Sequence, residues 1–373
     1  MKFHIIMVVW GASYVETMVD VTIPMLLSAG NVPALAQMPA SDITFYTRPE
    51  EEKWMRATPS VQRLANFIDI RYVHIDPSIE TSKYVAMSKA HSAAARRAQA
   101  EAAHAIILAP DILVADGSLA SVLRLAQAGK RAVMTVGPRL DQESTLPALR
   151  ACLESGDGET LTLGPRTMVR FALDHLHRET RRAFFDSPEF SLYPTTCLWA
   201  VPGNGFLARN FHLHPLMIDF SKTGCLSALQ RDTIDGDFIG HAVGRWQDIH
   251  VETDSDNILL CSLSPADATY SPVSPNIASA DQLRGMAYSA VVNPLHRMFF
   301  MQAVRVHAED IDESWHLLEE ETGLWAFEAL RWEPPKVEPL PPPPPPVPVP
   351  RPRGMAYRLS RKWQKIRRKF QSA

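Results

Sequence analysis

"APDILVADGSLASVLRLAQAGKRAVM" runs from Ala109 to Met134. It continues the apolar run "AIILA" (105–109), passes Asp111 and Asp116, and then turns helical. An apolar run that ends on an acidic turn before a helix predicts a buried strand followed by a strand-to-helix connection. In open α/β sheets, such connections at the carboxyl ends of strands are where ligands bind. Asp111 follows Pro110 at the strand end, an awkward place for a merely solvated acid. Asp116, Gly117 and Ser118 open the helix. They read equally well as capping and turn residues or as residues whose carboxylate approaches the same pocket.

Outward from this stretch the first 140 residues alternate strand and helix. "FHIIMVVW" (3–10), "DITFYT" (42–47), "IDIRYVHI" (68–75), "AIILA" and "RAVMTVG" (131–137) predict five strands. Between them, "YVETMVDVTIPMLLSAG" (14–30) predicts a helix disturbed by Pro24 and ended by Gly30. An amphipathic stretch lies around Trp54 to Phe67. "TSKYVAMSKAHSAAARRAQAEAAH" (81–104) predicts an Ala-rich helix capped by Thr81 or Ser82. Apolar strands separated by helices imply a mainly parallel central sheet with helices on both faces.

The second half is a smaller α+β region. Residues 166–185 predict one helix. "CLWAVP" (197–202), "HPLMIDF" (214–220), "IHVETD" (249–254) and "NILLCSL" (257–263) predict short strands, and 281–332 predict helix. At Trp332 the composition changes to "EPPKVEPLPPPPPPVPVPRPRG", an extended polyproline spacer. Residues 355–373 return to helix formers. The expected organisation is 1–140, 141–332, a Pro-rich linker 333–354 and a basic amphipathic helix 355–373.

Composition excludes several classes. Nine of the 38 Lys and Arg residues lie after position 350, leaving 29 against 41 acids, about −12, in the remainder. That is not a uniformly basic nucleic-acid binder. Cys152, Cys197, Cys225 and Cys261 are scattered without a CxxC, which argues against a zinc site or disulfide framework and for a reducing compartment. The start is too short in apolar residues for a signal peptide, and no run of 18 or more apolar residues predicts a membrane span. The first strand leads into "WGASYVE" and not a G-x-G-x-x-G turn, and "AQAGKR" lacks a Walker loop's spacing.

Three stretches carry a resemblance: "HIIMVVWGASYVETMVDVTIPMLLSAGNVPAL" with "ITFYT"; "IILAPDILVADGSLASVL"; and "GFLARNFHLHPLMIDF" with "TIDGDFI" and "IHVETDSDNI". Over roughly residues 1–265 the chain resembles bacterial glycosyltransferases of the GT-A type, from a divergent group associated with envelope polysaccharide. The resemblance implies a nucleotide-sugar donor over the first strand ends, with Trp10, Gly11 and Tyr14 near base and ribose. It implies a D-x-D holding a divalent cation, Mn²⁺ or Mg²⁺, on the diphosphate. Ala109-Pro110-Asp111 falls on that motif, so Asp111 matches and the first aspartate is absent.

Other candidates fill out the expected site. His212 and His214 sit two apart in an extended segment and so face one side; they are the candidate replacement ligands beside Asp111, or surface histidines. Asp116 and Gly117 are candidates for the donor pocket. Asp235 and Asp237 in "DTIDGDFI" and Asp254 and Asp256 in "VETDSDNI" are acidic turns, and the latter pair is the candidate general base or acceptor site. Arg139, after the fifth strand, either neutralises phosphate or is solvated.

Met355, Leu359, Trp363, Ile366 and Phe370 recur at helical spacing among basic residues. Such a helix can lie on an anionic membrane surface, and nuclear targeting, nucleic acid or a partner protein are the alternatives. The expectation is therefore a cytoplasmic glycosyltransferase, peripheral on the inner face of the cytoplasmic membrane. It would move a sugar from a nucleotide-sugar to an envelope glycan or lipid-linked acceptor. The alternatives are a non-catalytic sugar- or nucleotide-binding scaffold of the same fold and a nucleotidyltransferase.

Overall fold

The structure is a computed structural model describing residues 1–331 apart from 80–81, 192–194, 224–225, 227–233, 235, 271, 275–277 and 292. Thr81, Cys225, Asp235, the side chain of Asp237, the linker 333–354 and the helix expected at 355–373 lie outside the described residues.

In chain order the strands are β1 (Phe3–Val8), β2 (Asp42–Thr47), β3 (Asp69–His74), β4 (His104–Leu108), β5 (Ile112–Val114), β6 (Ala132–Thr135), β7 (Arg139–Asp141), β8 (Phe190–Ser191), β9 (Thr196–Val201), β10 (Gly205–Asn210), β11 (His214–Asp219), β12 (Ile249–Val251), β13 (Leu260–Ser264), β14 (Val273–Ser274) and β15 (Ala303–His307). Seven of them form the central sheet, in the order β12-β6-β11-β4-β1-β2-β3. Every neighbouring pair is parallel except those made by β11, which runs antiparallel to both β4 and β6. The fold is α/β, as expected. β1 is buried along its whole length, because helices cover both faces and leave no side for polar residues.

One buried cluster joins Ile5, Met7, Ile43, Phe45, Ile106 and Leu108 on one face of the sheet. A second joins Ile6, Val8, Ile107, Met134 and Ile218 on the other. Successive residues of β1 and β4 fall into different clusters, as strand geometry requires. The Ala-rich helix, Lys83–Ala100, lays Ala90, Ala94 and Ala98 on the second face. Its first turn is closed by Ser82, whose hydroxyl accepts the Tyr84 N–H at 3.3 Å. Small side chains let this helix approach the sheet closely.

Pro24 disturbs its helix in an identifiable way. Ala12–Thr17 is α-helical, Met18–Thr22 widens to a π-helix, and Ile23–Leu26 is α-helical again. The Ile23 N–H bonds the Met18 carbonyl, five residues back, just before the proline that has no N–H to give.

Two expectations in the second half are corrected. The helix expected at 166–185 breaks into Pro165–Asp174 and Arg178–Arg181. His177 is buried between them: its N–H donates to the Arg139 carbonyl at 2.9 Å, and its ring caps the second piece through the Glu179 N–H. The stretch 281–332 is not all helix. β15 intervenes between Pro294–Met301 and Glu313–Arg331, and it pairs with β10. β15, β10 and β9 form a three-stranded sheet; β5, β13 and β7 form another. Both stand over the carboxyl ends of the central strands.

Candidate active site

The turn after β4 is held from two directions. The Thr22 hydroxyl, on the π-helical segment, donates to the Pro110 carbonyl at 2.8 Å. The Leu263 N–H, on β13, donates to the Asp111 carbonyl at 2.9 Å. Together they fix the backbone that presents the Asp111 side chain.

That side chain lines a cavity of about 620 Å³ at the carboxyl ends of β4 and β6 and the beginning of β11. Its polar wall includes Asp111, Thr135, Arg139, His212, His214 and Ser262; Leu198, Phe206 and Val306 give it an apolar wall. The size and the mixture suit a small-molecule site.

Burial pushes the Asp111 carboxyl above its ordinary value, against the opposing influence of its own backbone N–H and of the Arg139 and Lys83 charges. Burial pushes His214 down, so the ring is held toward its neutral form. Its Nε2 donates to the Ile107 carbonyl at 3.0 Å, which leaves Nδ1 with the lone pair. The His212 ring meets the His296 ring edge-on at 4.3 Å. Asp111, His212 and His214 are all among the residues that line the cavity.

They do not, however, close into a metal cage. Among the described residues, the groups that bring three ligand atoms within 4.8 Å of one another are Asp254, Asp256 and His307, and the expected set of Asp111, His212 and His214 is not such a group. Asp111, His212 and His214 line the cavity without forming a three-ligand cluster by themselves. Ala109 adds a methyl group where the motif would add a carboxylate.

Trp10, Gly11 and Tyr14 lie at the same edge of the sheet as Asp111, since β1 and β4 are adjacent and parallel. Trp10 is half-buried against the second core cluster. The Gly11 N–H, at φ +92°, donates to Glu51 Oε1 at 2.5 Å. Tyr14 is exposed. None of the three lines the cavity wall itself.

Asp116 and Gly117 are placed elsewhere. Asp116 Oδ1 accepts the Gly30 N–H at 2.8 Å, and a Cβ on Gly30 would lie 2.5 Å from the Gly117 Cα. The two glycines are a contact between backbones, and the carboxylate ties the end of one helix to the start of the next. The Asn31 side chain completes the junction by accepting the Leu119 N–H. Asp116 and Gly117 therefore build the scaffold under the site and are not part of its wall.

Asp254 and Asp256 also stand apart from the cavity. Val306 lines it, and the adjacent His307 points to the other face of β15, toward Trp315. There His307 Nε2 bonds Asp254 Oδ1 at 2.9 Å, and Nδ1 donates to the Glu309 carbonyl at 2.7 Å. The hydrogen bond to Asp254 raises the imidazole pKa, and the same bond lowers that of Asp254. Asp256 is held by Arg166, which also reaches Asp310. This is a candidate metal-binding triad with an arginine on one of its acids. Neither Asp254 nor Asp256 is among the residues that line the cavity.

Sequence reading missed His307, Arg166, Tyr270 and Ser264. His307 lies in "AVRVH", whose alternation marks a strand, but nothing local ties it to Asp254.

No protein-family profile matches the chain, and no curated protein matches it. Solved structures with some similarity include residues 1–349 of TarS from S. aureus: 9% identity over 88% of this chain and 71% of that one, TM-score 0.30. A glucose-1-phosphate thymidylyltransferase from Bacillus anthracis, in complex with a sucrose, matches at 16% identity over 39% of this chain and 57% of its own, TM-score 0.25. Apo mouse xyloside xylosyltransferase 1 matches at 12% identity over 42% and 57%, TM-score 0.24. The latter two matches span little more than half the length of the solved proteins. At such scores the chemistry of the site stands on its own residues.

Proposed function

We infer that the cavity binds a nucleotide-sugar and that the chain transfers its sugar to a glycan or lipid-linked acceptor. The observation that carries this reading is the cavity at the carboxyl ends of β4 and β6, lined by a half-buried acid, two histidines and an arginine. A carboxyl group beside a sugar accepts its hydroxyl hydrogen bonds, and imidazoles and a guanidinium suit a diphosphate. The exposed Tyr14 at the β1 end is free to stack on the base. Asp111 binds and orients the donor. The His214 ring, held by the Ile107 carbonyl, presents Nδ1 as an acceptor.

The acceptor class and the location at the inner face of the cytoplasmic membrane rest on the sequence resemblance and on residues 355–373, which are outside the described part. No described helix is long and apolar enough to cross a membrane.

Labelled nucleotide-sugars incubated with the chain, with and without Mn²⁺, test the reaction. Sugar transfer that is lost in Asp111→Asn supports it. Binding without turnover identifies a scaffold, and release of pyrophosphate identifies a nucleotidyltransferase. Retention on anionic vesicles, compared with a chain lacking 355–373, tests the anchor.

A further inference from the structure

The backbone of Arg139 is clamped. Its N–H donates to the Thr180 hydroxyl at 2.9 Å, and its carbonyl accepts from the Thr180 hydroxyl and the His177 N–H, each at 2.9 Å. The side chain reaches the mouth of the cavity, where the guanidinium lies over the Tyr270 ring, 4.7 Å from its centroid. Arg139 Nη1 and the Tyr270 hydroxyl both donate to Ser264 Oγ, each at 3.3 Å. Stacking and a shared hydroxyl thus hold the plane of the guanidinium while consuming one of its five donors.

Among the described residues, no ion pair to Arg139 lies within 4.0 Å, and Glu179, an acid on the same wall, is spoken for by Arg182. Arginines such as Arg97, Arg166 and Arg182 are paired with acids, whereas Arg139 is exposed, held by Tyr270 and Ser264, and lines the cavity. Its charge is also felt at Asp111.

We propose that Arg139, seated on Tyr270, neutralises the diphosphate of the substrate in this cavity, in the role a divalent ion would otherwise take. This rests on the nucleotide-sugar reading. Three features of the wall point the same way. Position 109 offers a methyl group and no ligand. Asp111, His212 and His214 do not converge as a three-ligand set. A planar fork fixed in place can meet two phosphate oxygens at once. A fixed cation at the departing diphosphate also stabilises the charge that develops there without reorganising. Asp111 is then a partner for hydroxyl groups of the donor.

The test uses the full chain and two probes, inorganic pyrophosphate and a panel of nucleoside diphosphates, titrated calorimetrically in EDTA and in Mn²⁺. The expected result is binding in EDTA that weakens about tenfold or more in Arg139→Gln, the loss of a charge-assisted contact. Arg139→Lys recovers part of it, and Tyr270→Ala weakens it less than Arg139→Gln does. Melting temperatures of the variants control for folding. Binding that requires Mn²⁺, falls with Asp111→Asn and ignores Arg139→Gln would overturn the proposal and leave the nucleotide-sugar reading standing. Absence of binding by either probe in both media would overturn both.

Discussion

Replacing Gly137 with alanine should damage the cavity from its floor. Gly137 follows β6 and lines the site. A Cβ built there would lie 1.5 Å from the Leu260 carbonyl oxygen and 2.6 Å from its carbon. Real Cβ contacts are not closer than 3.0 Å, so the Leu260 carbonyl would have to retreat from the added methyl group by about the same 1.5 Å again. Leu260 cannot move alone. β13 is paired to β5 through Leu260 and Val114 and to β7 through Ser262 and Arg139. The Leu259 carbonyl also accepts the Ala115 N–H at 3.0 Å. Overpacking costs about 1–3 kcal/mol, and one weakened ladder bond adds about 1 kcal/mol. A total near 3 kcal/mol lowers the melting temperature of a unit this large by roughly 5 °C. Gly158→Ala is the control. Gly158 has φ +70° and open space around its missing Cβ, so only the left-handed backbone is strained. That costs about 1–2 kcal/mol and leaves the cavity intact. Thermal unfolding followed by circular dichroism reads the stability, and pyrophosphate titration reads the site. If Gly137→Ala melts within about 1 °C of the native chain and binds equally well, the close approach of β13 is wrong.

Two further outcomes follow from buried histidines. Burial holds His91 at about 4, below its ordinary 6.5, so the unfolded chain takes up the proton first and stability falls as pH drops from 6.5 toward 4. His91→Phe should remove that loss, worth a few kcal/mol at the acid end; a urea-unfolding profile equally acid-sensitive in the variant would contradict it. At the Asp254–His307 pair, the raised imidazole contributes stability that is full below 6.5 and lost as pH rises through its folded value. The lowered carboxyl contributes stability present above 3.8 and lost as pH falls through its own. Asp254→Asn should therefore cost most between those two values, about 1–3 kcal/mol, and denaturant midpoints across pH would show a uniform cost if the pair were not ionic.

The sequence by itself determined the layered α/β arrangement and the position of Asp111 beyond the end of a buried strand. Runs such as Phe3–Val8 and His104–Leu108 are apolar because both faces of a parallel strand are covered, and that pattern is local. Ser82 as a cap and Asp111 beyond a strand end are local features too. Only the tertiary structure decided what the side chains do. Asp116 meets Gly30, 86 positions away, and His307 meets Asp254, 53 positions away. Arg139 finds Tyr270 and Ser264 through the pairing of β7 with β13. The helix expected through 166–185 breaks because His177 is needed against the Arg139 carbonyl. Periodicity and capping depend on neighbours a turn or two away. The partners of a carboxylate or a guanidinium depend on which distant strands end side by side, and composition along the chain carries no record of that.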